Sequence, residues 1–216
     1  MVYEFPGPEA PIRQGDIFTR LPRIEFSLAR FQAISEHDEI EVIPWDELAG
    51  SREPVAAIVA ARPVVAIVVS QDCDALRAPD ITLSEIREFR DVERKGKDTT
   101  EPKSWMRIIT QQARINQKWF YLPPDDGIGF QTKMAVDFMV TLCVPRSELA
   151  GMRHLRKGRL NEAAGAHFRE RIAEFYRRYP FDEWYPLDEA EFEAYKREHP
   201  DAQPFPWQAR STEDSD

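Results

Sequence analysis

The chain has 216 residues, is 42 % hydrophobic and carries a formal net charge of −9, enough length and apolar content for one ordinary domain with a substantial appendage. That charge excludes a strongly basic nucleic-acid-coating protein as the first expectation, and no run of about eighteen apolar residues is present to span a membrane, because Arg62 and Pro63 interrupt the stretch from Val55 to Ser70. Met1 to Pro11 holds acids and prolines where a secretory leader would be basic and then apolar, and two cysteines, Cys73 and Cys143, make no disulfide framework, so the expected location is the reducing cytoplasm.

Gly15-Asp16-Ile17-Phe18 follows the turn-prone stretch from Pro6 to Pro11 and opens a first strand, with Ile17 and Leu21 directed inward and Pro22 as its stop. From Arg23 to Ile34, apolar residues at Ile24, Phe26, Leu28 and Phe31 come close to alternation, which reads as a second strand or a short helix. Glu36 to Glu41 is an acidic turn, Ile40 to Trp45 alternates weakly as a strand, and Asp46 to Pro54 is loop. Val55 to Ala60 and Val64 to Ser70 are the most apolar segments, and the Arg62-Pro63 pair between them marks a turn or the start of a strand. The unbroken run of small and β-branched residues after Pro63 predicts a strand buried on both faces.

Asp80-Ile81-Thr82-Leu83 reads as a further strand, while Ile86, Phe89 and Val92 at spacing three read as a short helix from Ser84 ending at Gly96. The charged stretch Arg90 to Lys103 reads as a mobile loop, part of an insertion near 84–115. Trp119 to Leu122 is β-prone, and Asp125-Asp126-Gly127 supplies the turn of a hairpin with Val136 to Val144. After Pro145 the period changes. Phe168, Ile172, Phe175, Tyr176 and Tyr179 form the stripe of an amphipathic helix over Glu162 to Tyr179, closed by Pro180, that must pack on the body or on a second copy. A second helix is predicted from Asp188, with Phe192 and Tyr195 on it, to His199-Pro200, and Phe205 and Trp207 offer docking rings in the tail. The domain reading is therefore a β-rich body over 1–160 and a helical extension with an acidic tail over 161–216.

Charge is unevenly spread. Arg146 to Tyr179 holds nine Lys/Arg against four Asp/Glu, or +5, whereas Pro180 to Asp216 holds three against eleven, or −8. A basic band of this kind is a nucleic-acid face with a masking tail, or two solvated helices of opposite sign. Arg153, Arg156, Lys157 and Arg159 form its densest part and are the candidate phosphate contacts, with a solvated loop as the alternative.

The buried strand ends in Asp72-Cys73-Asp74, two acids flanking a thiol, and polar groups that follow such a strand emerge at a sheet rim where a ligand can meet them. A thiolate between two carboxylates needs a cation close by, so Cys73 as a nucleophile would require Arg62 or His37 beside it. A metal site would need Cys73, one aspartate and one of His37, His154 or His167, yet no paired ligand spacing supports it, and neither metal nor cofactor is expected. The remaining alternative makes Cys73 a small buried filler and the acids caps of a turn or helix. Asp16 orients Arg62 or Arg13, or satisfies a backbone turn. His167 reads as an exposed polar-face residue, and Trp105, Trp119, Trp184 and Trp207 as core or interface rings.

Gly15-Asp16-Ile17, Arg62-Pro63 entering an apolar strand, Asp80-Ile81-Thr82-Leu83 and Arg159-Leu160 after a strand pair together resemble the layout of the MazF/PemK-like toxin superfamily over about residues 12–160. The resemblance implies an α+β fold built on a small SH3-like β-barrel with inserted helices and a C-terminal helical extension, often dimeric, in proteins many of which cut single-stranded RNA without a metal. It implies that Gly15 forms the first turn and that Arg62 matches the arginine that stabilises the phosphate or donates a proton in the active toxins. The chain departs from the pattern where active toxins carry a Thr or Ser, having Ser84, Glu85 and Arg87 in an ambiguous element, and its Asp72-Cys73-Asp74 cluster and its helical segment from Glu162 onward have no counterpart in that pattern.

Two function classes follow. The first is a module binding a protein partner or RNA in a prokaryotic stress or defence system of toxin-antitoxin type, with a homodimer among the expected assemblies. The second is an enzyme, either an endoribonuclease using Arg62 or a hydrolase built on Asp72, Cys73 and Asp74.

Overall fold

The apolar run after Pro63 becomes the middle of a seven-stranded antiparallel sheet in the computed structural model, which describes residues 2–34, 37–50, 54–93, 96–109, 118–177, 193 and 196–201. In chain order the strands of both sheets are β1 (Tyr3–Glu4), β2 (Asp16–Glu25), β3 (Phe31–Ile34), β4 (Ile40–Ile43), β5 (Ala57–Ile58), β6 (Ala60–Val68), β7 (Asp80–Glu88), β8 (Trp119–Leu122), β9 (Met134–Pro145) and β10 (Arg156–Leu160). The large sheet runs β1-β10-β2-β6-β7-β9-β8, and a small sheet runs β4-β3-β5. Register shifts in the β10–β2, β2–β6 and β7–β9 pairs add local twist, and the large sheet curls into a half-barrel. The helices are α1 (Trp45–Ala49), α2 (Asp72–Arg77), α3 (Phe89–Glu93), α4 (Pro102–Arg107), α5 (Arg146–Gly151) and α6 (Glu162–Tyr176), so the fold is mixed α+β. The chain divides into two compact units, Met1–Tyr176 and Arg177–Asp216.

Alternation along β6 explains its composition. Val64, Ala66 and Val68 face one cluster with Phe18, Ile81, Leu83 and Leu149 of α5, while Val65, Ile67 and the following Val69 face another with Ile17, Ile86, Val136 and Phe168 of α6. Both faces of the strand are covered, so polar residues there would lose their water. A third cluster gathers Phe89, Ile108, Trp119 and Ala135, with ring centroids 4.7 Å apart for Phe89 and Trp119 and 5.0 Å for Phe89 and Trp105. Helix α6 lays Phe168 on the sheet, 5.1 Å from Phe120 and 5.9 Å from Phe138 between ring centroids, and Asn161 opens it by accepting from the Ala164 N–H at 2.9 Å. No described helix is long and apolar enough to cross a membrane.

Several local readings are corrected. Pro22 does not stop β2, which continues to Glu25 with Pro22 opposite Pro63. At that level β2 has left β10 and β6 has not reached β7, so an outward N–H would meet no strand and the two prolines deprive none of a donor. The segment Arg23 to Ile34 is neither one strand nor one helix: it holds the end of β2, a 3₁₀ turn at Leu28–Arg30 and β3. Part of the expected loop from Asp46 is α1. The helix expected from Ser84 is instead strand, because Ser84 and Glu85 are bonded on both sides, to Ile67 and Ala66 of β6 and to Thr141 and Asp137 of β9. Helix begins only at Phe89, and α3 and α4 occupy part of the expected loop from Arg90 to Lys103. The hairpin of β8 and β9 forms with Trp119 opposite Asp137 and Leu122 opposite Met134. The expected end of α6 at Tyr179-Pro180, the residues Phe192, Tyr195, Phe205 and Trp207, and Trp184 lie outside the described residues.

Candidate functional site

Where β6 ends, a set of bonds from neighbouring loops fixes the chain for its next turn. The Val69 and Ser70 N–H groups donate to the Thr82 carbonyl at 3.0 and 3.3 Å, and Ser70 Oγ accepts from the Thr82 N–H at 2.8 Å. Gln14 stitches the rim from the other side: its N–H donates to Asp72 Oδ1 at 2.8 Å and its Nε2 to the Val69 carbonyl at 2.7 Å. Gly15 sits beside it at φ +87, a left-handed conformation that a Cβ resists, and donates to the Val68 carbonyl at 2.9 Å. Helix α2 then begins, anchored by the buried Ala75, with Asp72 and Asp74 in its first turn.

Asp72, Cys73 and Asp74 are all exposed, and they form one wall of an open cleft of about 990 Å³. The facing wall is α6, which presents Arg169, Ile172, Ala173 and Tyr176 at the i, i+3, i+4, i+7 spacing of one helical stripe. Gln14, Val69, Ser70, Gln71 and Thr82 close the remainder. The cleft is thus lined by carboxylates and a thiol on one side, a guanidinium and a phenol ring on the other, with Val69, Ile172 and Ala173 as apolar surface between them. Arg169 makes no ion pair among the described residues. Cys73 is not the buried filler the sequence allowed for: its Sγ is exposed, 3.7 Å from Asp74 Oδ1 and 3.9 Å from Gln71 Oε1. Cys143 is likewise free and exposed.

Arg62 is not brought to this cleft. It lies near the start of β6, eight positions before Ser70, or about 26 Å along an extended strand. There its Nε donates to Glu25 at 2.6 Å and its Nη2 to Glu85 at 3.0 and 3.1 Å, while Glu85 also accepts from Arg23. These two carboxylates, Glu25 first, hold the guanidinium in its charged form above its ordinary value. The basic quartet is divided in the same way. The Arg156 side chain is buried, donating to Asp16 Oδ2 at 3.1 Å and to the Gly7 carbonyl at 2.7 Å; Arg159 donates to Asp16 at 2.5 and 3.1 Å and to the Pro11 carbonyl at 2.8 Å. Arg153 reaches Glu9 at 3.5 Å, and Lys157 is exposed. Asp16 therefore meets neither Arg62 nor the Arg13 side chain; it accepts from the Arg13 N–H at 3.0 Å, the turn role foreseen, and gathers two arginines the sequence reading had assigned to phosphate.

Among the described residues no group of three or more His, Cys, Asp or Glu side chains is arranged to hold a metal ion, and no histidine lines the cleft. His167 is exposed on α6 and lies edge-on to Phe120 at 5.6 Å. Arg169, Ala173 and Tyr176 were missed as site residues. Their helical stripe was legible in the spacing, but only the facing strand end tells which stripe borders an opening. No family model matches the chain, and neither a curated protein nor a solved structure matches it.

Proposed function

We propose that this chain is a binding module on an SH3-like, MazF/PemK-like half-barrel, and that it takes a peptide segment of a protein partner in the cleft between the end of β6 and α6, within a prokaryotic stress or defence system. The observation that carries this reading is the open cleft of about 990 Å³ with opposed charges on its walls. Asp74 suits a lysine or arginine of the incoming segment, Arg169 suits a carboxylate or backbone carbonyl, and Ile172 with Tyr176 suits an apolar side chain between them.

RNA as the ligand is less well supported. Phosphate contacts need unpaired cations in number, and the guanidiniums of Arg62, Arg156 and Arg159 are engaged by Glu25, Glu85 and Asp16, which leaves Arg169 as the arginine facing the cleft. A hydrolase at Cys73 lacks support for a related reason: the side-chain partners of the thiol are an amide oxygen and a carboxylate, and no histidine lines the cleft to serve as its base.

Selection from a phage-displayed random peptide library on the purified chain, alongside incubation with a mixed pool of single-stranded RNA, tests the reading. The expected result is enrichment of peptides carrying Lys or Arg beside an apolar residue, with the RNA intact. Cleavage of the RNA that disappears in Arg62→Ala, or a library that shows no enrichment, contradicts it.

A further inference from the structure

Among the described residues, eight of the thirteen exposed large apolar side chains lie between Ile24 and Val59, and none of these eight lines the cleft. Register shows how several of them are arranged, since opposed residues in an antiparallel pair share a face of the sheet. Ile34 stands opposite Ile40, and Gln32 opposite both Val42 and Ile58, so Ile34, Ile40, Val42 and Ile58 occupy one face of the β4-β3-β5 sheet. The opposite face carries Phe31, Ala33 and Ile43; there Phe31 meets Trp45 of α1 at 5.2 Å between ring centroids and Ala33 is 4 % exposed. One face is thus covered from within the chain. The other leaves Ile40 at 60 %, Val42 at 54 % and Ile58 at 43 % exposure around the exposed Gln32, a predominantly apolar surface of the kind that marks an interaction site.

Charge selects the occupant. Residues 31–50 contain six Asp or Glu and no Lys or Arg. A second copy would set this acidic segment against itself, and nucleic acid would be repelled outright. We infer that the Ile34-Ile40-Val42-Ile58 face docks a protein segment whose apolar residues are flanked by lysines and arginines, as on a basic amphipathic helix. This surface shares no residue with the cleft, so it stands or falls separately from the function proposed above.

The test titrates the full chain into two labelled synthetic helices, one with leucines at i, i+3, i+4 and i+7 and lysines elsewhere, the other with glutamates in place of the lysines. Ile40→Thr/Val42→Thr removes apolar surface while keeping β-branched side chains in an exposed strand, and an unchanged melting temperature verifies that it folds. With Ala173→Trp closing the cleft in every chain titrated, the lysine helix should still bind and should lose about tenfold or more in affinity when the double substitution is added, and the glutamate helix should not bind. The inference is overturned if the double variant or the glutamate helix binds as well as the reference pair, if neither helix binds, or if the chain sediments as a dimer that the double variant dissociates, which assigns the face to a second copy.

Discussion

The Asp16 carboxylate is buried between two guanidiniums whose side chains are themselves 2 % and 11 % exposed, those of Arg156 and Arg159. Removing it would leave both charges with little water, Arg156 with no anion and Arg159 with only Glu4 at 3.8 Å, and breaking a buried pair from one side costs about 3–5 kcal/mol. Asp16→Ala is therefore expected to lower the unfolding free energy by about that amount in urea titration, and a loss below about 1 kcal/mol would show that the cluster is solvated. Arg62, whose side chain is 43 % exposed, is the contrasting case. Its Ala variant should cost about 1 kcal/mol or less, because Arg23 still neutralises Glu85. Tyr3 adds a pH dependence. Its hydroxyl donates to the Pro123 carbonyl at 2.8 Å, and burial pushes the phenol well above its ordinary value of 10, as burial also raises Tyr121. With the folded pKa raised, the stability these neutral phenols contribute is fully present below pH 10 and is lost as pH rises toward the folded values. Unfolding at increasing alkalinity should show this fall, and Tyr3→Phe should make it shallower while losing about 1 kcal/mol at neutral pH. An unaltered alkaline profile in Tyr3→Phe would contradict the assignment.

At the scale of elements, α6 is where sheet and cleft meet, because one side of it buries Phe168 against Phe120 and Phe138 while an adjoining stripe borders the opening. Truncating a fully buried phenylalanine costs about 3–5 kcal/mol, so Phe168→Ala should lower the melting temperature markedly and loosen the far wall of the cleft. An unchanged melting temperature would mean that the helix does not depend on that packing. The element scale also shows what sequence can carry. The second half of β6, from Val64 to Val68, was legible because both its faces are covered, which leaves an unbroken apolar run. β7 was legible only in its first half, Asp80 to Leu83, since Ile86, Phe89 and Val92 imitate helical spacing across a junction where strand ends at Glu88 and helix begins at Phe89. The β8–β9 hairpin was legible from β-prone residues on either side of turn chemistry.

At the scale of the whole molecule, the arginines Arg62, Arg156 and Arg159 are neutralised internally by Glu25, Glu85 and Asp16. That pairing could not be read from sequence spacing, because the partners are distant: Arg62 and Glu25 are 37 residues apart, and Arg159 and Asp16 are 143. The rim position of Asp72-Cys73-Asp74 could be read, because a doubly buried strand must deliver whatever follows it to an edge, whereas the facing stripe on α6 depends on a contact across almost a hundred residues. The most direct measurement is calorimetric titration of a library-selected peptide into the wild type, Asp74→Asn and Ala173→Trp. Both variants alter exposed positions, so their melting temperatures should match the wild type. The cleft account predicts a loss of about tenfold or more in affinity, about 1.4 kcal/mol, for each variant. Affinities equal to the wild type in both variants would place the binding surface elsewhere and contradict it.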